Sequence, residues 1–376
     1  MKLLHTSDWH LGRALANNQT YEADQRAFFE NLYRIIGDEK IDAVLVAGDV
    51  YDSSVSNADA ISLYNEVVTK ICLEMRVPMV IVAGNHDSGP RLAACRELLK
   101  GAGLYLSGRI SADLSPVCFG NTAVYALPYF NKDEVVALFP ERKAEINSAA
   151  TAMKVVCDII REKADKTKRN IIVSHSHVIG AELSESDHSA QIGTASAISK
   201  DVFEGFDYVA LGHIHKPQEI SATIRYSGSP VKFSFGKEEK QEKGVVIIDT
   251  DDMSQKFVRV GELHGRRTIE ATYDEIAAMQ GLENDYLRIV VTDRPSGASL
   301  YREFKQKFPL LLELSGTDYT VSGEGTSLSA LDIEKMDALS ILTGFMKDCF
   351  GTEPDKEQIE LFQTALEESD REDEEN

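Results

Sequence analysis

Five short apolar runs in the first 250 residues each stop abruptly at a polar cluster able to bind a ligand. Leu3-Leu4-His5-Thr6-Ser7 runs into Asp8-Trp9-His10, and Ala43-Val44-Leu45-Val46-Ala47 into Gly48-Asp49. Met79-Val80-Ile81-Val82-Ala83 leads to Gly84-Asn85-His86-Asp87, Ile171-Ile172-Val173 to Ser174-His175, and Tyr208-Val209-Ala210-Leu211 to Gly212-His213-Ile214-His215. Runs this short and continuous read as central strands covered on both faces. Helical periodicity over residues 21–36, 58–75 and 147–163 separates the first four. Such alternation predicts a layered α/β domain, in which ligands gather beyond the carboxyl ends of the strands. Five clusters at five strand ends are therefore expected to converge.

After about residue 265 the pattern changes. Residues 267–272, 286–292 and 310–314 read as strands, and 274–280 and 300–308 as helices. This is a small α+β domain with no metal-type residues at its strand ends. Residues 323–329 read as a linker. Beyond them Met336, Leu339, Leu342, Met346 and Phe350 form a helical apolar stripe that Gly351 ends; Ile359, Phe362 and Leu366 form another. The 376 residues suit two or three domains. The expected division is 1–265 for the α/β core, 266–325 for the α+β domain, and 326–376 for terminal helices and an acidic tail.

The formal net charge is −21; residues 367–376 hold seven acids and Arg371, so the tail carries −6 and the rest −15. Charge alone cannot grip nucleic acid broadly. A nucleic-acid enzyme whose cations are bound metals, or whose partner supplies a basic surface, is not excluded. The N-terminus lacks a signal-peptide run, and no stretch approaches the roughly 20 apolar residues of a membrane span. The five cysteines are scattered, without a CxxC pair, as in a reducing compartment, so the cytoplasm is expected.

The strand-end residues Asp8, His10, Asp49, Asn85, His86, His175, His213 and His215 combine imidazole, carboxylate and one amide, with no thiolate. Such a set suits Mn, Fe or Zn. It exceeds one ion's needs, whereas two ions roughly 3.5–4 Å apart, bridged by a shared carboxylate, use it fully. Such a pair acidifies a bound water and offers positive charge to a pentavalent phosphorus transition state. Residues i and i+2 on a strand share a face, which lets Asp8 and His10 meet at one ion. His213 and His215 do the same if the chain stays extended, and serve different ions if it bends. Any one of these pairs alone is commonly a solvated turn or cap; their joint recurrence is the signal. Trp9 reads as packing. His5, His177, His188 and His264 fall outside the pattern. Lys232, Lys237, Lys240 and Lys243 read either as a solvated turn or as contacts to DNA phosphates.

The order D-x-H, G-D-x-x-D, G-N-H-D, lone strand-end His, G-H-x-H resembles the calcineurin-like metallophosphoesterases. The likeness is closer than the superfamily: "LHTSDWHLGR", "VAGDVYDSS", "VAGNHDS", "YVALGHIHKPQ" and "YSGSPVKFSFGKEEKQEKGVVIID" are similar to the nuclease-subunit family of bacterial SbcCD-type complexes, over nearly the whole chain. The resemblance implies an α/β/β/α core with one metal held by Asp8, His10, Asp49 and His215. It gives the other to Asp49, Asn85, His175 and His213, with Mn²⁺ favoured. In "SHSHV" it selects His175 over His177. It makes His86 the catalytic group beside the scissile phosphate, with Asp87 orienting it. Asp52 stands where some relatives carry a phosphate-placing histidine. The resemblance further implies a DNA nuclease, exonucleolytic on duplex ends and endonucleolytic on hairpins and single strands. Its partner would be an SbcC-type ABC ATPase with a coiled coil, gripped by the C-terminal helices. A homodimer within a heterotetramer, in the bacterial cytoplasm at the nucleoid, would serve DNA repair, recombination and replication. The small domain would cap the site and shape DNA access.

The alternative is a metallophosphoesterase acting on small phosphodiesters or phosphoproteins. Phosphatases of this kind continue the second motif as Gly-Asp-x-Val-Asp-Arg-Gly, with an arginine that clamps phosphate. Here Gly48-Asp49-Val50-Tyr51-Asp52-Ser53-Ser54 lacks it. A scaffold without catalysis has no use for the full ligand set.

Overall fold

Side chains alternate between the two faces of the first sheet, and its central strands are buried on both. Strands β1 (Lys2–Thr6), β2 (Ala43–Ala47), β3 (Met79–Val82) and β4 (Leu104–Ser107) run parallel in that order. β11 (Gly244–Asp249) pairs antiparallel with β1, and β12 (Gln255–Arg259) lies outside it. Leu4, Val44, Val46, Met79 and Ile81 face outward and pack with Phe28, Phe29, Leu32, Leu63 and Val67 of helices Glu22–Glu39 and Ala58–Thr69. Leu3, Ala43, Leu45, Ala47, Val80 and Val82 face the other way, into a second core.

That core is shared with a second sheet, ordered β5 (Val117–Phe119), β6 (Thr122–Leu127), β7 (Arg169–His175), β8 (Tyr208–Gly212), β10 (Ile224–Tyr226) and β9 (Gln218–Ser221). β6, β7 and β8 are parallel. Val124, Ile171, Val173, Tyr208 and Ala210 meet the first sheet. Burying such a side chain contributes about 1.5–3 kcal/mol, so the two sheets clamp each other and hold their strand ends as a rigid platform. Helices Lys132–Leu138 and Ala149–Lys163 cover the outer face. The layers are helix, sheet, sheet, helix, as expected from sequence.

A third sheet of parallel strands β13 (Arg266–Ala271), β14 (Tyr286–Val291) and β15 (Leu311–Ser315) alternates with helices Tyr273–Ala278 and Ala298–Lys307. Thr272 and Glu275 form a capping box at the first of these helices. Ile276, Leu287, Ile289, Val291, Phe304, Phe308 and Leu311 make its core. It meets the larger core through Tyr286, whose hydroxyl donates to Asp24 at 2.6 Å, and through Arg266, whose guanidinium lies 4.6 Å from the Phe235 ring.

The computed structural model describes residues 1–15, 20–187 and 197–317, and scattered positions between 339 and 362. Met1–Thr317 form one unit and Asp318–Asn376 another. The helix expected over 58–75 is α-helical only to Thr69 and continues as a wider turn, Lys70–Glu74. The helix expected over 21–36 extends to Glu39 and ends at Lys40, in the left-handed conformation. In the second unit Leu339 and Leu342 are helical and half-buried. His188, the linker 323–329, Met336, Met346, Phe350, Gly351, Leu366 and the acidic tail lie outside the described residues. Among the described residues no helix is long and apolar enough to cross a membrane.

Candidate metal centre

The strand ends converge because the backbone turns sharply there. Asp8 (φ 53°), His10 (φ 46°), Asp49 (φ 49°) and His213 (φ 100°) are four of the eight described non-glycine residues with positive φ. Each such residue costs of order 1–3 kcal/mol and persists only where its surroundings dictate it. Here they do. Asp8 N–H donates to the Gly48 carbonyl and His10 N–H to the Asp49 carbonyl, both at 3.0 Å. His213 N–H donates to Asp8 Oδ1 at 2.9 Å. The strand-face explanation for Asp8-x-His10 therefore fails: β1 ends at Thr6, and left-handed turns bring the two side chains together. At His213 the chain bends and sends His213 and His215 to different neighbours. A Cβ on Gly48 would strike the His175 ring, and one on Gly212 the Ala47 carbonyl.

Two groups of ligand atoms lie at the strand ends, and a third, of His10, Asp52 and His86, lies beside them. Those of Asp8, His10 and His215 lie within 4.8 Å of one another, as do those of Asp8, Asp49 and His175. In the first group the Nε2 atoms of His10 and His215 approach to 3.1 Å. Their other nitrogens are engaged. His10 Nδ1 lies 3.1 Å from Asp52 Oδ1, close enough for charge attraction though off the line of a straight hydrogen bond. His215 Nδ1 lies 2.7 Å from Ser186 Oγ. Two lone pairs thus face one point, and a metal with bonds of roughly 2.0–2.1 Å spans nitrogens about 3 Å apart. In the second group Asn85 Oδ1 is 2.9 Å from both His175 Nε2 and His213 Nδ1. His175 Nδ1 donates to the Ala47 carbonyl at 2.8 Å, which turns Nε2 inward. Asp49 Oδ2 lies 3.3 Å from His175 Nε2 and 3.7 Å from His10 Nε2, so one oxygen faces both groups.

The electrostatics suit cations. Burial lowers the pKa of His10, of His215, and of His213 to about 3, keeping these imidazoles neutral with lone pairs to share. At His175 burial is outweighed by the carboxylates of Asp49 and Asp8, which raise it to about 9. Burial, then the Asp49 charge, lifts Asp8 to about 7 against the pull of His175. Among the described residues neither Asp8 nor Asp49 pairs with a lysine or arginine. Buried carboxylates without such a partner call for a metal.

The remaining candidates stand around this centre. His86 N–H donates to Asp49 Oδ1 at 3.0 Å, and His86 Nδ1 donates to the Asp52 carbonyl at 2.8 Å. The ring lies 4.9 Å from that of His10, edge to face, and its Nε2 remains for a substrate oxygen. Asp87 does not orient this imidazole. Its carboxylate accepts the backbone N–H groups of Val50 (3.2 Å), Tyr51 (2.9 Å) and Gly84 (2.8 Å), tying the loop after β2 to the loop after β3. Asp52 faces His10 at 3.1 Å and Arg13 at 3.5 Å, so its carboxylate is engaged beside the candidate site.

Sequence reasoning missed what lies behind His215. Ser186 Oγ donates to Glu238 Oε2 at 2.9 Å, Lys243 Nζ reaches Glu238 Oε1 at 2.6 Å, and Lys243 also donates to the His215 carbonyl at 2.8 Å. Asp187 Oδ1 accepts the His215 N–H at 3.0 Å. Phe233 stands 5.5 Å from His10 and 5.4 Å from His215, ring to ring. The lysine cluster therefore divides. Lys243 is fully buried, Lys232 is bound to Glu262 at 2.8 Å, and Lys237 and Lys240 are exposed. Glu238, 0% exposed, stays ionised because Lys243, helped by the Ser234 and Ser186 hydroxyls, outweighs burial. Lys243→Met strands a buried carboxylate, so unfolding in urea should show a loss of about 3–5 kcal/mol. A loss under about 1 kcal/mol, the worth of a surface pair, would mean the pair holds nothing in place. Ser186 and Glu238 are 52 residues apart with no motif; no pattern in the sequence pairs them.

The family model described as calcineurin-like phosphoesterase matches residues 1–217. The SbcD subunit of the SbcCD nuclease of Staphylococcus saprophyticus is 32% identical over 378 residues, covering 97% of this chain and 98% of that protein. The SbcD subunit of the same nuclease from Staphylococcus epidermidis is 29% identical over 355 residues, covering 93% of each.

Proposed function

We propose, because the chain belongs to the calcineurin-like phosphoesterase family, that its strand-end centre hydrolyses DNA phosphodiesters with two divalent ions. The chain is a metal-dependent phosphodiesterase whose full-length relatives are SbcD subunits of SbcCD nucleases. The observation that carries the two-ion reading is Asp49 Oδ2, placed between His175 and His10. Asp8, His10, Asp49 and His215 would hold one ion, and Asp49, Asn85, His175 and His213 the other. A set of nitrogen and oxygen donors without thiolate suits Mn, Fe or Zn, and the family resemblance favours Mn²⁺ among them. Bound there, the ions polarise the phosphate and make a water nucleophilic near neutral pH.

The chain's own residues do the rest. Asp52 and Ser186 fix two imidazoles, Ala47 fixes a third, and Asp87 pins the loops that carry Asp49 and Asn85. His86 presents Nε2 to the departing oxygen, to stabilise its charge or to protonate it. The absent arginine after Asp52 speaks against a phosphoprotein substrate. Duplex ends and hairpins are the proposed substrates. An SbcC-type ATPase is the proposed partner, in a complex with two copies of each protein. It would supply the basic surface that a chain of charge −21 lacks. Residues 326–376 would dock it, which a pull-down with a chain ending at 325 tests: retained ATPase refutes the assignment. Residues 266–325 would cap the site, a reading supported by Tyr286, which packs with Phe233 beside His10 and His215. The setting would be the cytoplasm at the nucleoid, in DNA repair, recombination and replication. The deciding experiment is Mn²⁺-dependent cleavage of hairpin and blunt duplex DNA, with and without the ATPase and ATP. Turnover of a phosphoprotein or a small phosphodiester with no DNA cleaved would refute the reading.

A further inference from the structure

The His175–His213–Asn85 group forms one wall of a cavity of about 180 Å³. Its far walls are Tyr129, Phe130, Met153, Ile198 and His177. It is built by the turn after β6, the end of β7 beyond His175, the start of the helix Ala149–Lys163 and Ile198, with Asn85 and His213 from the ends of β3 and β8. The Tyr129 N–H donates to the Ala83 carbonyl at 2.8 Å, which ties the turn after β6 to the loop bearing Asn85. The cavity thus has a fixed place relative to the ligands, not a floppy one.

Three features define its occupant. Among the described residues no lysine or arginine lines it, so its lining offers no cationic side chain to a phosphate. Tyr129 stands 48% exposed at the centre's edge, an aromatic face left open to a partner. Asn85, Ser176 and His177 add polar side chains to the lining. A slot with an open aromatic face and polar side chains beside it matches a nucleobase, which has a π-face and a polar edge. The size admits one flat ring system and not a base pair.

We propose that this cavity receives the unstacked base of the nucleotide next to the scissile phosphate, with Tyr129 stacking on the ring and the polar side chains of the lining facing its edge. The proposal rests on the DNA-cleaving reading and deepens it. A base drawn out of the stack sets its phosphate at the metal centre, and hairpin loops and frayed ends give up a base at the least cost. Asn85, His175 and His213 line both the cavity and the metal centre, so a base seated here places its own phosphate within reach of them.

The test compares two hairpin oligonucleotides, cut by the full-length chain with Mn²⁺. They differ only in one nucleotide at the cleaved linkage, which either carries its base or is abasic. Stacking on one aromatic side chain is worth roughly 5- to 150-fold, so the abasic substrate should show a KM higher by about that factor. In Tyr129→Ala the gap between the substrates should collapse, and in Tyr129→Phe it should persist, since the phenyl face remains. Tyr129 is half exposed, so its truncation leaves the core intact. Equal KM values for the two hairpins in the unaltered chain, with both cleaved, would overturn the subsite and leave the nuclease reading standing. Cleavage of neither hairpin, with turnover of a phosphoprotein, would overturn both.

Discussion

Replacing Asp49 by alanine should lower phosphodiester cleavage roughly 10³-fold or more, because charge stabilisation at the reacting phosphate is worth several kcal/mol and each 1.36 kcal/mol is tenfold. Oδ2 lies against both His10 and His175, and Oδ1 accepts the His86 N–H. The substitution therefore removes a shared ligand and the anchor of the neighbouring loop together. Asp49→Asn separates the two effects: the amide oxygen still accepts the His86 N–H while the charge is gone. Both variants should bind fewer than two Mn²⁺ per chain by elemental analysis after desalting. Two ions bound as tightly as before would remove Asp49 from the bridging position.

His86→Ala should act differently: metal content unchanged and cleavage reduced by roughly 10²–10⁴, the usual worth of a positioned proton donor. His86 Nδ1 is engaged by the Asp52 carbonyl, and its ring stands edge-on to His10 instead of between the two ligand groups. Calorimetric titration with Mn²⁺ checks the first half of the prediction and cleavage kinetics the second. Weakened metal binding in the variant would reclassify His86 as a ligand.

Much of this was legible in the chain. Continuous apolar runs such as Ala43–Ala47 fix buried parallel strands, and their polar ends announce where chemistry collects. The small sheet was legible too, because alternation sets its strands and the Thr272–Glu275 box marks a helix start. The close geometry was not. Asp8 and His10 meet because Gly48 and Asp49 carbonyls hold them in left-handed turns, a long-range cause that no local spacing encodes. Asp87 follows His86 in sequence, yet its carboxylate points away to the Val50, Tyr51 and Gly84 amides. Lys243 looked like one of four surface lysines and is buried against Glu238 behind His215. His177 looked like a bystander two residues from His175; only the fold shows that it lines the cavity with Tyr129.

One carboxylate oxygen, Asp49 Oδ2, is proposed to serve two ions. Anomalous diffraction at the manganese edge, from crystals of the full-length chain grown with Mn²⁺, tests it directly. Two peaks roughly 3.5–4 Å apart are expected, one among Asp8, His10, Asp49 and His215, the other among Asp49, Asn85, His175 and His213. A single peak at saturating Mn²⁺, or two peaks with no contact from Asp49 to one of them, would contradict it.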